Sequence, residues 1–168
     1  MQNVLFLCTG NSSRSLMAEA ILGRMGQGRF KAFSAGSQPA GQPNPWAIQL
    51  LEQFGYQICR LRSKNWSEYS RPGCPQMDHI ITVCDRAAGE TCPIWPGNPS
   101  TAHWGIADPA AEVGDDKDMQ LAFLTAYAHL SDRIGRFVAL PIESMDAETL
   151  RQAMQEIGNL SGATGDHI

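Results

Sequence analysis

No stretch of this 168-residue chain is apolar for long enough to cross a bilayer as a helix. Residues 1–8 lack both the basic n-region and the length of a signal peptide, so a cytoplasmic location without a membrane partner is expected. A basic block is missing too. The 13 Lys and Arg against 17 Asp and Glu leave a net charge of −4, which argues against nucleic acid. Any anion site is therefore local. There is no CxxC pair, and His79, His103, His129 and His167 do not pair at ligand spacing, so zinc is not expected. The cysteines number five, at positions 8, 59, 74, 84 and 92. An odd count in a chain expected in a reducing compartment does not suggest a disulfide framework. No repeat divides the sequence, and a monomer is expected. With 43% hydrophobic and 18% charged residues, the composition is that of one globular domain with a proper core.

What is present is concentrated near the N-terminus. Val4-Leu5-Phe6-Leu7 reads as a short buried strand, and Leu16-Met17-Ala18-Glu19-Ala20-Ile21-Leu22 as a helix. Between them lies Cys8-Thr9-Gly10-Asn11-Ser12-Ser13-Arg14-Ser15. The loop ends at a helix N-terminus, where unpaired N–H groups and the helix dipole attract anions and favour a thiolate at Cys8. Arg14 adds a planar cation suited to a tetrahedral oxyanion. Gly10 is expected to free the backbone to turn, Asn11 and Ser12 to brace the loop, and Ser15 to donate to the Cys8 sulfur. The bland alternative, a structural loop with a buried thiol, fits this context less well.

Further strands are expected at Phe30–Ser34, His79–Val83 and Ala102–Trp104. Asn44 is expected to cap a helix starting at Pro45 and stopped by Gly55. Another short helix is read around Trp66–Ser70. Met119, Phe123, Tyr127, Leu130, Ile134 and Phe137 mark a long amphipathic helix, and Asp146 caps a last one with Gly158 beyond it. Residues 85–100 read as a long surface loop. Strands alternating with helices imply an α/β fold: a single-domain, doubly wound, four-stranded parallel sheet flanked by helices. The expected organisation is a catalytic domain over 1–143, a C-terminal helical extension over 144–158 packed on it, and a flexible tail over 159–168.

Ligands in such sheets bind beyond the carboxyl ends of the strands. Cys8, Cys84 and Asp108 each follow a strand, so they converge on one edge if the strands are parallel. Asp108-Pro109 alone is ordinary turn chemistry, but beside an oxyanion loop the carboxyl can protonate a leaving oxygen. Cys84 and Cys92 are either two unrelated thiols or the second and third stations of a redox relay. Cys59 and Cys74 read as bystanders, and the tryptophans as packing residues.

Val4 to Ser12, with Arg14-Ser15 and Met17-Ala18-Glu19-Ala20, is similar to the opening signature of the low-molecular-weight tyrosine phosphatase superfamily, and within it of the arsenate reductases. Ser34-Ala35-Gly36, Thr82-Val83-Cys84-Asp85, Cys92-Pro93 and His103-Trp104-Gly105 followed by Asp108-Pro109 continue the resemblance over about residues 3–140. The resemblance implies that the Cys8 thiolate attacks arsenate held by Arg14 and the N–H groups of Thr9, Gly10, Asn11, Ser12 and Ser13, while Asp108 assists departure of an oxygen. Cys84 would then attack Cys8 and release arsenite, and Cys92 would take over Cys84. External thioredoxin, or glutaredoxin with glutathione, would reduce the resulting disulfide, with no cofactor bound. Phosphate and sulfate would act as analogues of arsenate.

Two departures stand out. Ser13 occupies the place of a second loop cysteine found in many members. Some members hold potassium beside the loop through groups matching Asn11, Glu19 and Ser34. Here Arg62-Ser63-Lys64 falls where the remaining ligands are expected, and the Lys64 ammonium can replace the ion, so no metal is expected. The competing activity is a phosphatase for phosphotyrosine or a small phosphate ester using Cys8, Arg14 and Asp108 alone. Against it, phosphatases of this superfamily commonly carry aromatic residues after the Asp-Pro pair, where this chain has Ala110-Ala111. Residual phosphatase activity is compatible with the reductase. A third possibility is a non-catalytic thiol module that binds arsenite or senses oxidants.

Overall fold

Four parallel strands, β1 (Gln2–Cys8), β2 (Phe30–Gly36), β3 (His79–Thr82) and β4 (Ser100–His103), lie side by side in the order β2-β1-β3-β4. They belong to a computed structural model that describes residues 1–164. Strand β1 is central, and Val4 to Leu7 are wholly buried, as an unbroken apolar run in a parallel sheet requires. Its side chains alternate between two cores. Val4, Phe6 and Cys8 join the larger one with residues of the helices α1 (Arg14–Met25), α2 (Pro45–Gln53), α4 (Asp116–Ala139) and α5 (Ala147–Gly158). Leu5 and Leu7 face a smaller core with Tyr69, Met77 and Ile80, under a 3-10 turn at Trp66–Tyr69.

The register sets the catalytic edge. Cys8 pairs with Gly36, Leu7 with Thr82, and Thr82 with His103, so these strands end together. Helix ends follow local chemistry. The Asn44 side chain accepts from Trp46 N–H at 2.9 Å with Pro45 at the first helical position, and Asp146 accepts from Thr149 N–H at 2.8 Å. Asp115 and Asp118 form a capping box that starts α4 three residues before Met119. Helix α5 runs through Gly158, one residue further than expected.

Two segments differ from expectation. Residues 85–100 are not loop throughout: α3 (Asp85–Ala88) forms one turn directly after Cys84. Residues 159–164, expected as a loose tail, are hydrogen-bonded as far as Thr164; positions 165–168 of that tail lie outside the described residues. Helix α5 reaches the sheet through Trp104, fully buried, whose Nε1–H donates to Met154 O at 2.9 Å. The buried Arg133 of α4 donates to the carbonyls of Gly158, Leu160 and Ser161 where α5 ends. Among the described residues no helix is long and apolar enough to cross a membrane.

Candidate active site

The Cys8–Arg14 loop is shaped by its neighbours. Its carbonyls are taken from outside: Gln38 N–H donates to Thr9 O (3.0 Å), Ala40 N–H to Gly10 O (2.9 Å) and Asn44 N–H to Ser12 O (2.8 Å). Among the described residues, no backbone N–H of Gly10 to Ser13 donates to another main-chain oxygen. The loop thus offers donors and few acceptors. At Gly36 a Cβ would strike the carbonyls of Thr9 and Cys8, so only glycine lets β2 approach the loop this closely.

The turn itself is made by Asn11 and not by Gly10. Asn11 has φ 42°, the left-handed region, while Gly10 is not among the positive-φ glycines. Asparagine tolerates that region, and its side chain repays it locally. Nδ2 donates to Ser15 Oγ and Ser34 Oγ, both at 2.9 Å, and Oδ1 accepts from Lys64 N–H at 2.9 Å. The Ser15 hydroxyl is therefore engaged with Asn11; among the described residues it makes no hydrogen bond to the Cys8 sulfur.

Arg14, the first residue of α1, is 12% exposed and pairs with Asp108 through Nη2–Oδ2 at 3.2 Å. Its Nη1 donates to Ile106 O at 2.8 Å, while Nε is buried without a hydrogen-bond partner among the described residues. Asp108 is 43% exposed, and its other oxygen accepts from Ala110 N–H at 3.1 Å. This ion pair lines a cavity of about 580 Å³ that Cys8 and Cys84 also line. Gln38, Arg86 and Thr164 line it as well, and no sequence pattern singled them out.

Cys84 is 2% exposed and Cys8 6%, and both line this cavity. The hydrogen bond from Cys8, helped by Ala87 N–H and by Thr9, pulls the Cys84 thiol down to about 5 against the opposing effect of burial. The hydrogen bond given to Cys84 and then burial push the Cys8 thiol up, outweighing the Arg14 charge and Gly10 N–H. Hydrogen bonding favours the charged form at Cys84. The Cys84 sulfur also caps α3, accepting from Ala87 N–H at 3.3 Å with Thr9 Oγ1 at 3.8 Å. Cys92 is exposed beyond α3, Cys59 is exposed and Cys74 intermediate, and all five cysteines are free thiols.

Behind the loop, Lys64 is 5% exposed. Its ammonium lies 3.4 Å from Glu19 Oε2, 3.4 Å from Ser34 Oγ and 3.1 Å from Arg62 O, while the Ser34 hydroxyl donates to Glu19. Burial raises the Glu19 carboxyl and lowers the Lys64 ammonium, and each partner opposes the other's shift. Among the described residues no cluster of three or more His, Cys, Asp or Glu side chains could hold a metal ion.

A four-stranded parallel sheet that presents a Cys-to-Arg anion loop and an opposed Asp-Pro defines a class. The chain belongs to the low molecular weight phosphotyrosine protein phosphatase family, whose profile matches residues 3–152. Within that family its similarity is to arsenate reductases. The arsenate reductase of Halalkalibacterium halodurans is 32% identical over 134 residues, 80% of this chain and 93% of that protein. The crystal structure of arsenate reductase from Archaeoglobus fulgidus superposes with TM-score 0.65 at 26% identity, covering 82% of this chain and 99% of that one. A structure described as an arsenate reductase in the phosphate binding state gives TM-score 0.67 at 25% identity, covering 83% and 98%.

Proposed function

We propose that the protein reduces arsenate to arsenite through Cys8, Cys84 and Cys92. One observation supports this above simple phosphate-ester hydrolysis. A second thiol is buried beside the first, in the same cavity, and accepts a hydrogen bond from the Ala87 N–H. Hydrolysis has no use for it. Similarity to arsenate reductases supports the choice of oxyanion.

In this account arsenate is held by the N–H groups of Thr9 to Ser13 and by Arg14, whose unpartnered Nε supplies a donor. Cys8 Sγ attacks arsenic, forming an S–As bond. The thiol proton leaves with the displaced oxygen as water, Asp108 passing the proton at that oxygen. The Cys84 thiolate then attacks Cys8 Sγ. An S–S bond forms, and the S–As electron pair stays on arsenic, which departs as As(III). Cys92 as thiolate attacks Cys84, freeing Cys8 and leaving a Cys84–Cys92 disulfide. Exposure of Cys92 opens that bond to thioredoxin or glutaredoxin. Lys64 takes the place of a bound cation and neutralises Glu19 behind the loop. Ser15 acts through Asn11, holding the loop and not the sulfur.

The test is arsenate-dependent oxidation of NADPH coupled through thioredoxin and its reductase, in the wild type and in Cys8→Ser, Cys84→Ser and Cys92→Ser. Turnover is expected in the wild type and abolished in each variant. Normal turnover by Cys84→Ser would sink the relay. Hydrolysis of p-nitrophenyl phosphate without arsenate reduction would make the protein a phosphatase.

A further inference from the structure

The family profile ends at residue 152, within α5, yet the chain beyond it returns to the catalytic edge. Gly158 packs against His103 O, where a Cβ would not fit. Ala163 bridges Ile106 in antiparallel fashion, and Thr164 N–H donates to Gly105 O at 3.0 Å. The Thr164 hydroxyl then donates to Asp85 Oδ1 at 3.1 Å. That same carboxylate oxygen accepts from His103 Nε2 at 2.8 Å, and His103 Nδ1 pairs with Thr82 Oγ1 at 2.8 Å. A neutral imidazole satisfies both bonds, with Nε2–H donating and Nδ1 accepting. Gly105 lies at the crossing: a Cβ there would collide with Asp85 Oδ1, His103 Nε2 and Thr164 O.

Asp85 is the residue after Cys84 and the first of α3. We propose that the C-terminal segment is a strap that stations the relay thiol: Thr164 and His103 hold Asp85, and through it keep Cys84 beside Cys8 until the first disulfide has formed. The inference rests on the relay proposed above. Delivering Cys84 to Cys92 requires α3 to open, because the Cys84 sulfur caps Ala87 N–H, and Ala88 N–H and Gly89 N–H bond the carbonyls of Cys84 and Asp85. The strap opposes that opening. It favours the Cys8–Cys84 exchange and delays the Cys84–Cys92 exchange. Thr164 and His103 are positioning residues; neither meets the reacting sulfurs in a hydrogen bond.

The test uses the full reduced chain with Thr164→Val, which removes the hydroxyl at nearly constant shape, and Thr164→Ser, which restores it. Quenched-flow hydrogen exchange is read at the amides of residues 87–90. In Thr164→Val they should exchange roughly threefold to tenfold faster, the effect of losing one hydrogen bond, with β1 and α1 unchanged. Thr164→Ser should return to the wild-type rate. In a single turnover with arsenate, quenched by alkylation, Thr164→Val should trap severalfold less Cys8–Cys84 disulfide relative to Cys84–Cys92. Unchanged α3 exchange in Thr164→Val overturns the strap, and so does faster exchange spread over the whole sheet with a lowered melting temperature. If α3 responds but no arsenate-dependent disulfide forms even in the wild type, the strap stands and the arsenate reading fails. If disulfides form but neither α3 exchange nor their ratio responds, the strap fails and the arsenate reading stands.

Discussion

Replacing Asn11 with Ala should destabilise the protein more than any other single change in the anion loop. The side chain is wholly buried and makes three hydrogen bonds, to Ser15, Ser34 and the Lys64 N–H, each at 2.9 Å. Deleting it removes about 1 kcal/mol per bond, roughly 3 kcal/mol in all. Alanine must also hold a backbone φ of 42°. That left-handed conformation adds about 1 kcal/mol. The sum, about 4 kcal/mol, is a large part of the 5–15 kcal/mol typical of a domain. In a chain of this size it corresponds to a fall in melting temperature of roughly 8–16 °C. Urea unfolding under reducing conditions measures it as a lower midpoint at unchanged slope. Asn11→Gly separates the two contributions, since glycine adopts the backbone freely, and should recover about 1 kcal/mol of the loss. A loss below about 1 kcal/mol in Asn11→Ala would refute the keystone role, because a single hydrogen bond would account for it. Glycine no better than alanine would refute the backbone part.

The Cys84 thiolate should appear as ultraviolet absorbance titrating near pH 5, and Cys8→Ala should move that midpoint upward toward the ordinary 9.0, because the Cys8 hydrogen bond is the largest cause of the depression. The sign for stability follows: with the folded value below the unfolded one, the Cys84 contribution is complete above about 9, shrinks as pH falls, and is lost as pH passes through about 5. A midpoint near 9 in the wild type would contradict this lowering of the Cys84 thiol. Lys64→Ala should cost about 3 kcal/mol in urea unfolding, since it leaves the Glu19 carboxylate buried without its cation. Potassium chloride should restore part of that stability where lithium chloride does not; equal response to both salts would remove Lys64 from the ion's place.

Much of the catalytic edge was legible because its signals are local. An unbroken apolar run reads as a buried strand, and Asn44-Pro45 and Asp146 act through their own side chains. Other parts depended on contacts between distant segments. Gly10 is the residue that generic turn chemistry favours, but Asn11 takes the left-handed position because Ser34 and Lys64 meet its side chain there. Helix α3 is not legible in the sequence because it is one turn long and capped by a cysteine, outside the usual capping residues. Its capping N–H adds to the Cys8 hydrogen bond in lowering the Cys84 thiol. Residues 159–164 are mostly small or polar, with one apolar side chain at Leu160 and no periodicity; their order comes from Arg133 and the Gly105 carbonyl, which no pattern in that segment announces.

The central claim is that arsenic receives its two electrons from Cys8 and Cys84. It is tested most directly by one turnover of the reduced protein with excess arsenate and no external thiol. The account predicts one arsenite per chain, with mass spectrometry finding Cys84 and Cys92 joined and Cys8 alkylatable. In Cys84→Ser it predicts no arsenite. Arsenite released in full by Cys84→Ser, or none released by the wild type, would contradict it.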